Sequence, residues 1–242
     1  MNNTPAAAPR IGFDRCIPLD WATCALRVRA GDQDPQAIET LLDAAGLGMP
    51  SRTKTRSVIN GMWLDPRTEL VAFAERGIGI WHESPEVSVP ALCWGMAITA
   101  YPFFGKVAEL VGRLTTIQGD CTAAEVHRRL AETYGEGEVT RRAANRVIQT
   151  QASWGTCERV DKGRRVIRKP PTAITNEALI AWLIEAAIRY TGRAISVSGL
   201  ASAAVLYPFR LDQSLTLVVS RSPTLELRSE GSGAPLAMLQ SR

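Results

Sequence analysis

The stretch from Thr122 to Lys169 constrains this chain more than any other. Over residues 122–134, Val126, Leu130 and Tyr134 fall on one helical face. The opening Thr122-Ala123-Ala124-Glu125 has the pattern in which a threonine caps a helix and a glutamate three residues on reaches back. Gly135 and Gly137 supply a turn, and Thr140 or the nearby Glu138 opens a second helix over 140–152. Its Ala144, Val147 and Ile148 face a core, with Arg142, Asn145, Arg146 and Gln149 opposite and Arg141 at the leading edge. After Trp154-Gly155, the runs CERV and RRVIRK flank Asp161-Lys162-Gly163 and read as a two-stranded ribbon. Helix, turn, basic helix and basic hairpin are the parts of a winged helix-turn-helix, a module that reads DNA.

Charge falls on the same stretch. The chain of 242 residues carries a net +4, very unevenly. Residues 1–138 hold 13 basic against 17 acidic side chains, whereas residues 139–169 hold nine Arg or Lys against Glu158 and Asp161 alone, a net +7. A single-sign cluster of this kind focuses potential and suits a polyanion. Arg pairs with guanine edges and Asn or Gln with adenine, which makes Arg141, Arg142, Asn145, Arg146 and Gln149 candidate readers. Arg159, Lys162, Arg164 and Arg165 on the ribbon are candidate phosphate contacts, which set docking rather than sequence choice. An ordinary solvated basic face is the alternative reading of the same residues.

Elsewhere, periodicity and punctuation predict a mainly helical chain. Residues 1–18, beginning MNNTPAAAPR, read as a disordered tail. Asp20 opens a helix that Gly31 ends, and Asp34-Pro35 opens another that stops at Gly46. A helix over 56–64 follows GMPSRTKTRS, whose Arg52, Lys54 and Arg56 could touch a phosphate backbone. Residues 68–76 form the next helix, closed by Gly77, with GIGIWHESPE as a loop. Residues 89–99 read as a buried helix. Residues 103–116 carry an apolar stripe through Phe104, Val107, Ala108, Val111 and Leu114, and form the natural first helix of the winged module. Pro170-Pro171 closes the module, and Thr175 or Asn176 caps a helix to about Tyr190. Residues 215–220 and 225–228 read as paired strands across Arg221-Ser222-Pro223. EGSGAPLAMLQSR reads as a mobile terminus.

Catalytic chemistry finds little footing. There is no GxxxxGK[ST] or GxGxxG phosphate loop. No HExxH motif or Cys/His cluster points to zinc, and His82 and His127 are isolated. Ser198 lies in SVSGLAS, outside the GxSxG context of a hydrolase nucleophile. Five scattered cysteines without CxxC, and no secretory signal, point to reduced thiols in a cytoplasmic protein. The apolar run 89–104 is broken by Pro90 and Pro102 and reads as core, not as a membrane span. The expectation is therefore a non-enzymatic protein with no cofactor, no metal and no membrane partner.

Three segments in order, TKTRSVINGMWLDPRTELVAFAERG, ALCWGMAITAYPFFGKVAELVGRL and VTRRAANRVIQTQASWG, resemble the BrxA-like family, the small accessory proteins of bacterial BREX phage-defence systems. The resemblance covers about residues 35–160. It implies a helical fold with a NusB-like region and DNA-binding ability. By position it makes the helix with Arg52, Lys54 and Arg56 and the helix with Arg141, Arg142, Asn145 and Arg146 the DNA-facing parts. The basic ribbon and the chain after residue 170 depart from it.

The sequence thus predicts a mainly α fold: a helical bundle with a winged helix-turn-helix and a small C-terminal β-containing extension. The expected divisions are a tail over 1–18, a helical domain over 19–100, the winged module over 101–170 and the extension over 171–242. The expected partner is double-stranded DNA, alongside other components of a defence complex. A transcription regulator, an assembly protein whose winged face meets an acidic protein, and an RNA binder are the other readings.

Overall fold

The computed structural model describes residues 10–84, 86–229 and 234–240. Over these residues the protein is mainly helical, with three small sheets. α1 (Leu19–Ala30) ends at Gly31, where a φ of 83° lets the chain turn back onto the last carbonyls. α2 (Gln36–Ala44) starts where an Asp34 carboxylate oxygen accepts from the Gln36 N–H at 2.7 Å. α3 (Met49–Ile59) begins earlier than expected and runs into a wider turn at Asn60–Leu64.

α4 (Val71–Glu83) corrects the sequence reading. The helix does not stop at Gly77 but continues to Glu83, into the segment expected to be a loop. Gly77 is there for packing: a Cβ would meet the Trp182 ring at 3.0 Å. α5 (Val89–Ala100) is buried from Ala91 to Thr99 and packs against α1, α6 (Pro102–Gln118) and α9 (Glu177–Thr191). Gly95 of α5 leaves no room for any side chain beside Trp182, whose ring stacks on Phe73 with centroids 4.3 Å apart. One apolar cluster runs from Phe13 to Ala237 through all of these helices. The expected divisions at residues 100 and 170 therefore do not separate independent cores.

After α6, Gly119 turns the chain into β1 (Asp120–Thr122). α7 (Ala123–Tyr134) and α8 (Glu138–Ser153) follow, then β2 (Cys157–Val160) and β3 (Arg165–Arg168). The sheet order is β1-β3-β2, all antiparallel, so the hairpin folds back and its second strand sits between the other two. Cys121, Cys157 and Val166 are the buried residues of this sheet. They close it over α6, α7 and α8.

Beyond it, β4 (Thr172–Ile174) pairs in parallel with β6 (Phe209–Leu211). A third sheet has the order β5-β8-β7, formed by β5 (Ile195–Ser196), β7 (Leu225–Arg228) and β8 (Leu236–Leu239). The short α10 (Val197–Leu200) and α11 (Leu215–Arg221) complete the described chain. Two further readings are corrected here. Residues 215–220 are helical, because Leu215, Val218 and Val219 bury one helical face, and the strand at 225–228 pairs with β8 instead. The supposed mobile terminus supplies β8, whose Ala237 is fully buried; residues 230–233 and 241–242 lie outside the described residues.

The expected tail is likewise ordered over its second half. Phe13 and Ile17 are fully buried, and the Ile17 N–H donates to Thr150 Oγ1 at 3.0 Å. Trp154 Nε1 donates back to the Ile17 carbonyl at 2.9 Å. Residues 10–18, with two large apolar side chains buried and partners for the backbone of Ile17, have reason to be ordered. Residues 1–9 lie outside the described residues.

Candidate nucleic-acid interface

The local chemistry that builds this region is explicit. Thr122 Oγ1 accepts from the Glu125 N–H at 3.1 Å, while the Thr122 N–H donates to Glu125 Oε2 at 2.7 Å. Both halves of the expected capping box are formed, and two otherwise orphaned N–H groups are satisfied. The donated hydrogen bonds from Thr122 hold the Glu125 carboxyl below its ordinary range, against the effect of burial. α7 is thereby fixed at its start. Gly135, with a φ of 80°, ends it and redirects the chain into α8.

α8 buries Thr140, Ala143, Ala144, Val147, Ile148, Thr150 and Gln151 and turns its other side outward. Arg141, Arg142 and Arg146 are exposed, as is the apolar Val139 before them. Arg142 pairs with Glu138 one turn back, at 2.7 Å. Arg146 Nη1 donates to Gln149 Oε1 at 2.9 Å. Asn145 and Gln149 are half-buried, so they stand lower on the helix flank than the arginines. Asn145 lies against His127 of α7. Burial pushes the His127 imidazole below its ordinary pKa, with Arg141 acting in the same direction and Asn145 opposing.

On the hairpin, the tip runs through Asp161, Lys162 and Gly163 at φ values of 51°, 57° and 82°. Three successive left-handed residues make a tight reversal that leaves Lys162 exposed at the apex. The Arg159 guanidinium packs over Gly163, where any Cβ would collide with it. Arg164 is exposed. Arg165 is ion-paired with Asp120 of β1 and, at 3.5 Å, with Asp161. Burial pushes the Cys16 thiol up, opposed by the Thr150 hydroxyl and by the charges of Arg146 and Arg159.

The structure does not bring Arg52, Lys54 and Arg56 into this group. α3 packs on α1 and the Asn60–Leu64 turn. Arg52 pairs with Glu39 at 2.6 Å and with Asp43, and Arg56 pairs with Glu39. The carboxylates of α2 neutralise both arginines, and Lys54 alone stays exposed without an ion pair among the described residues.

Two features escaped the sequence reading. Arg128 of α7 is exposed and lines, with Arg141, Thr140 and His127, an open groove of about 580 Å³ between α7 and the start of α8. Its placement was readable: in HRRL it lies off the face that carries Val126 and Leu130. Arg168 was counted with the basic ribbon but faces inward at its base. It donates to Thr116 Oγ1 at 3.2 Å and lies over the Tyr207 ring, 5.7 Å from its centroid. No sequence signal linked it to a tyrosine 39 positions on.

Chemically, the surface offers exposed guanidinium and ammonium groups on one helix and one hairpin tip. Among the described residues no group of three or more His, Cys, Asp or Glu side chains is placed to hold a metal ion. Among the same residues no helix is long and apolar enough to cross a membrane. Compared with known proteins, the chain matches no family model, no curated protein and no solved structure.

Proposed function

We propose that residues 102–168 form a winged helix-turn-helix and that the protein binds duplex DNA without catalysing a reaction. The observation that carries this reading is the β1-β3-β2 sheet on three helices, with the basic face of α8 and the hairpin tip left exposed. α8 has 16 residues and is therefore roughly 24 Å long. A helix about 10–12 Å across enters a major groove about 12 Å wide. In this arrangement Arg142 and Arg146 face base edges, with Asn145 and Gln149 on the flank. Lys162 and Arg164 reach phosphates beside the groove. Arg142 is available because an exposed pair such as Arg142–Glu138 holds its partner weakly. Arg165, already matched by two carboxylates, contributes less than its neighbours.

The test is fluorescence anisotropy of a labelled duplex at several salt concentrations, for the wild type and for Arg146→Ala/Arg164→Ala. Each lost phosphate contact lowers the slope of log affinity against log salt by about 1. The double variant is expected to bind at least tenfold more weakly, with a slope shallower by about 1 from the phosphate contact of Arg164. Unchanged affinity and slope would overturn the reading.

We further propose, on the BrxA-like resemblance alone, that the protein works beside other components of a phage-defence system. Methyltransferase, ATPase and phosphatase-like genes next to this one would support that setting, and an isolated gene would count against it.

A further inference from the structure

The C-terminal part of the chain repeats the order of elements in residues 102–168. α6, β1, α7, α8, β2 and β3 are matched by α9, β5, α10, α11, β7 and β8, with a short helical turn (Ala204–Leu206) and β6 inserted between α10 and α11. The sheet orders correspond: β1-β3-β2 in the first unit, β5-β8-β7 in the second, antiparallel throughout. The first helix of each ends at a glycine with positive φ, Gly119 at 83° and Gly192 at 65°.

The register agrees residue by residue. Thr122 ends β1 and caps α7; Ser196 ends β5 and caps α10, its Oγ accepting from the Gly199 N–H at 3.1 Å. Thr122 pairs with Arg165 and Ser196 with Leu236, each the first residue of its third strand. In the hairpins, Cys157 pairs with Arg168 and Val160 with Arg165, as Leu225 pairs with Leu239 and Arg228 with Leu236. The hydrogen bonds just outside the strands correspond too. Ala123 N–H donates to the Arg164 carbonyl at 2.8 Å and Val197 N–H to that of Pro235 at 2.9 Å. Lys169 N–H donates to Thr156 at 3.2 Å and Gln240 N–H to Thr224 at 2.9 Å.

What differs is the chemistry at matching places. Arg159, Arg165 and Arg168 of the first hairpin correspond to Leu227, Leu236 and Leu239 of the second. α8 has 16 residues, and α11 has seven. The second unit keeps the frame and has leucines in place of these three arginines. Its long connection, residues 201–214, instead reaches into the first unit. The Ala204 carbonyl lies against Gly112 of α6, where a Cβ would overlap it, and the Val205 carbonyl accepts from Trp94 Nε1 of the central α5 at 2.8 Å. Buried Tyr207 donates its hydroxyl to Gln151 Oε1 at 3.1 Å and lies 3.2 Å from Thr156 Oγ1. Those two residues flank the point where α8 gives way to the hairpin.

We propose that the C-terminal unit is a structural copy of the first that serves as a clamp rather than as a second DNA reader, and that Tyr207 is the positioning residue that holds α8 to the hairpin. The DNA part of this statement rests on the function proposed above; the clamp itself does not. Tyr207→Phe keeps the ring and removes the hydroxyl, so the fold survives. Hydrogen exchange measured by mass spectrometry is expected to rise about fivefold in peptides covering 151–169, the loss of roughly one net hydrogen bond, and to stay unchanged in α9. Duplex affinity is expected to fall severalfold. Arg193→Ala/Arg228→Ala, which removes two exposed charges of the second unit, is expected to leave affinity and salt slope as in the wild type. Unchanged exchange over 151–169 in Tyr207→Phe would overturn the clamp. A loss in Arg193→Ala/Arg228→Ala as large as that in Arg146→Ala would show the second unit to be a reader. If the wild type binds no duplex while exchange still rises in Tyr207→Phe, the clamp stands and the DNA reading falls.

Discussion

A carboxylate partner gives several arginines of this protein a structural task. Arg52 and Arg56 tie α3 to α2, and Arg76 and Arg189 hold the buried Glu185 at 2.5 and 2.8 Å. Among the described residues, Arg141, Lys162 and Arg164 have no such partner. Residue identity alone made these groups look alike. His127 permits a test at the same scale. Its folded pKa lies below the ordinary value of 6.5, so the unfolded chain binds the extra proton first. The stability this histidine contributes is complete above about pH 6.5 and is lost as the pH falls. The lowered Glu109, Glu125 and Glu138 act in the same direction, but only below their ordinary 4.5. The melting temperature of the wild type is therefore expected to drop between pH 7 and about 5 by more than that of His127→Gln. Parallel curves would show that the imidazole is not protected.

At the scale of elements, glycine carried opposite meanings that the sequence could not separate. Gly31 and Gly192 end helices as their position predicts. Gly77 and Gly79 lie inside α4 and end nothing. A Cβ at Gly79 meets no atom within 4 Å, whereas one at Gly95 in α5 would collide with the Trp182 ring. Gly79→Ala should thus stabilise the protein by about 0.5–1 kcal/mol, through helix propensity alone. Gly95→Ala should destabilise it by about 3 kcal/mol or more, through overpacking. Urea unfolding of both variants checks the pair, and a change of the same sign in each would contradict the assignment.

The legible elements were those with a local signal. The capping box at Thr122, the apolar stripe of α6 and the turn at Asp161-Lys162-Gly163 each need only their own neighbours. α11 was legible in part, since Leu215, Val218 and Val219 have helical spacing, but its β-branched residues also suit a strand. β8 and the buried N-terminal segment were not legible. Their order comes from β5, β7 and α8, distant in the chain. For the site, the helix and hairpin residues could be named from the sequence. The neutralisation of Arg165 by Asp120, and the inward turn of Arg168, depend on the pairing of β1 with β3.

Over the whole molecule, the N-terminal segment, the two similar units and the central α5 share one core, so a local loss is expected to be felt globally. Ile17 is fully buried beside Thr150 and Trp154. Ile17→Ala is expected to cost about 2–4 kcal/mol in chemical denaturation, with a single transition. Two separate transitions would indicate independent domains instead.

The same anchoring sets a condition on how the chain is made. The Ile17 N–H finds its partner 133 positions later. At about 5–20 residues per second, the ribosome needs roughly 7–27 s to deliver that partner. For that time Phe13 and Ile17 have no α8 to cover them. Whatever folds early must therefore leave their seat open, and the segment is expected to dock late in synthesis.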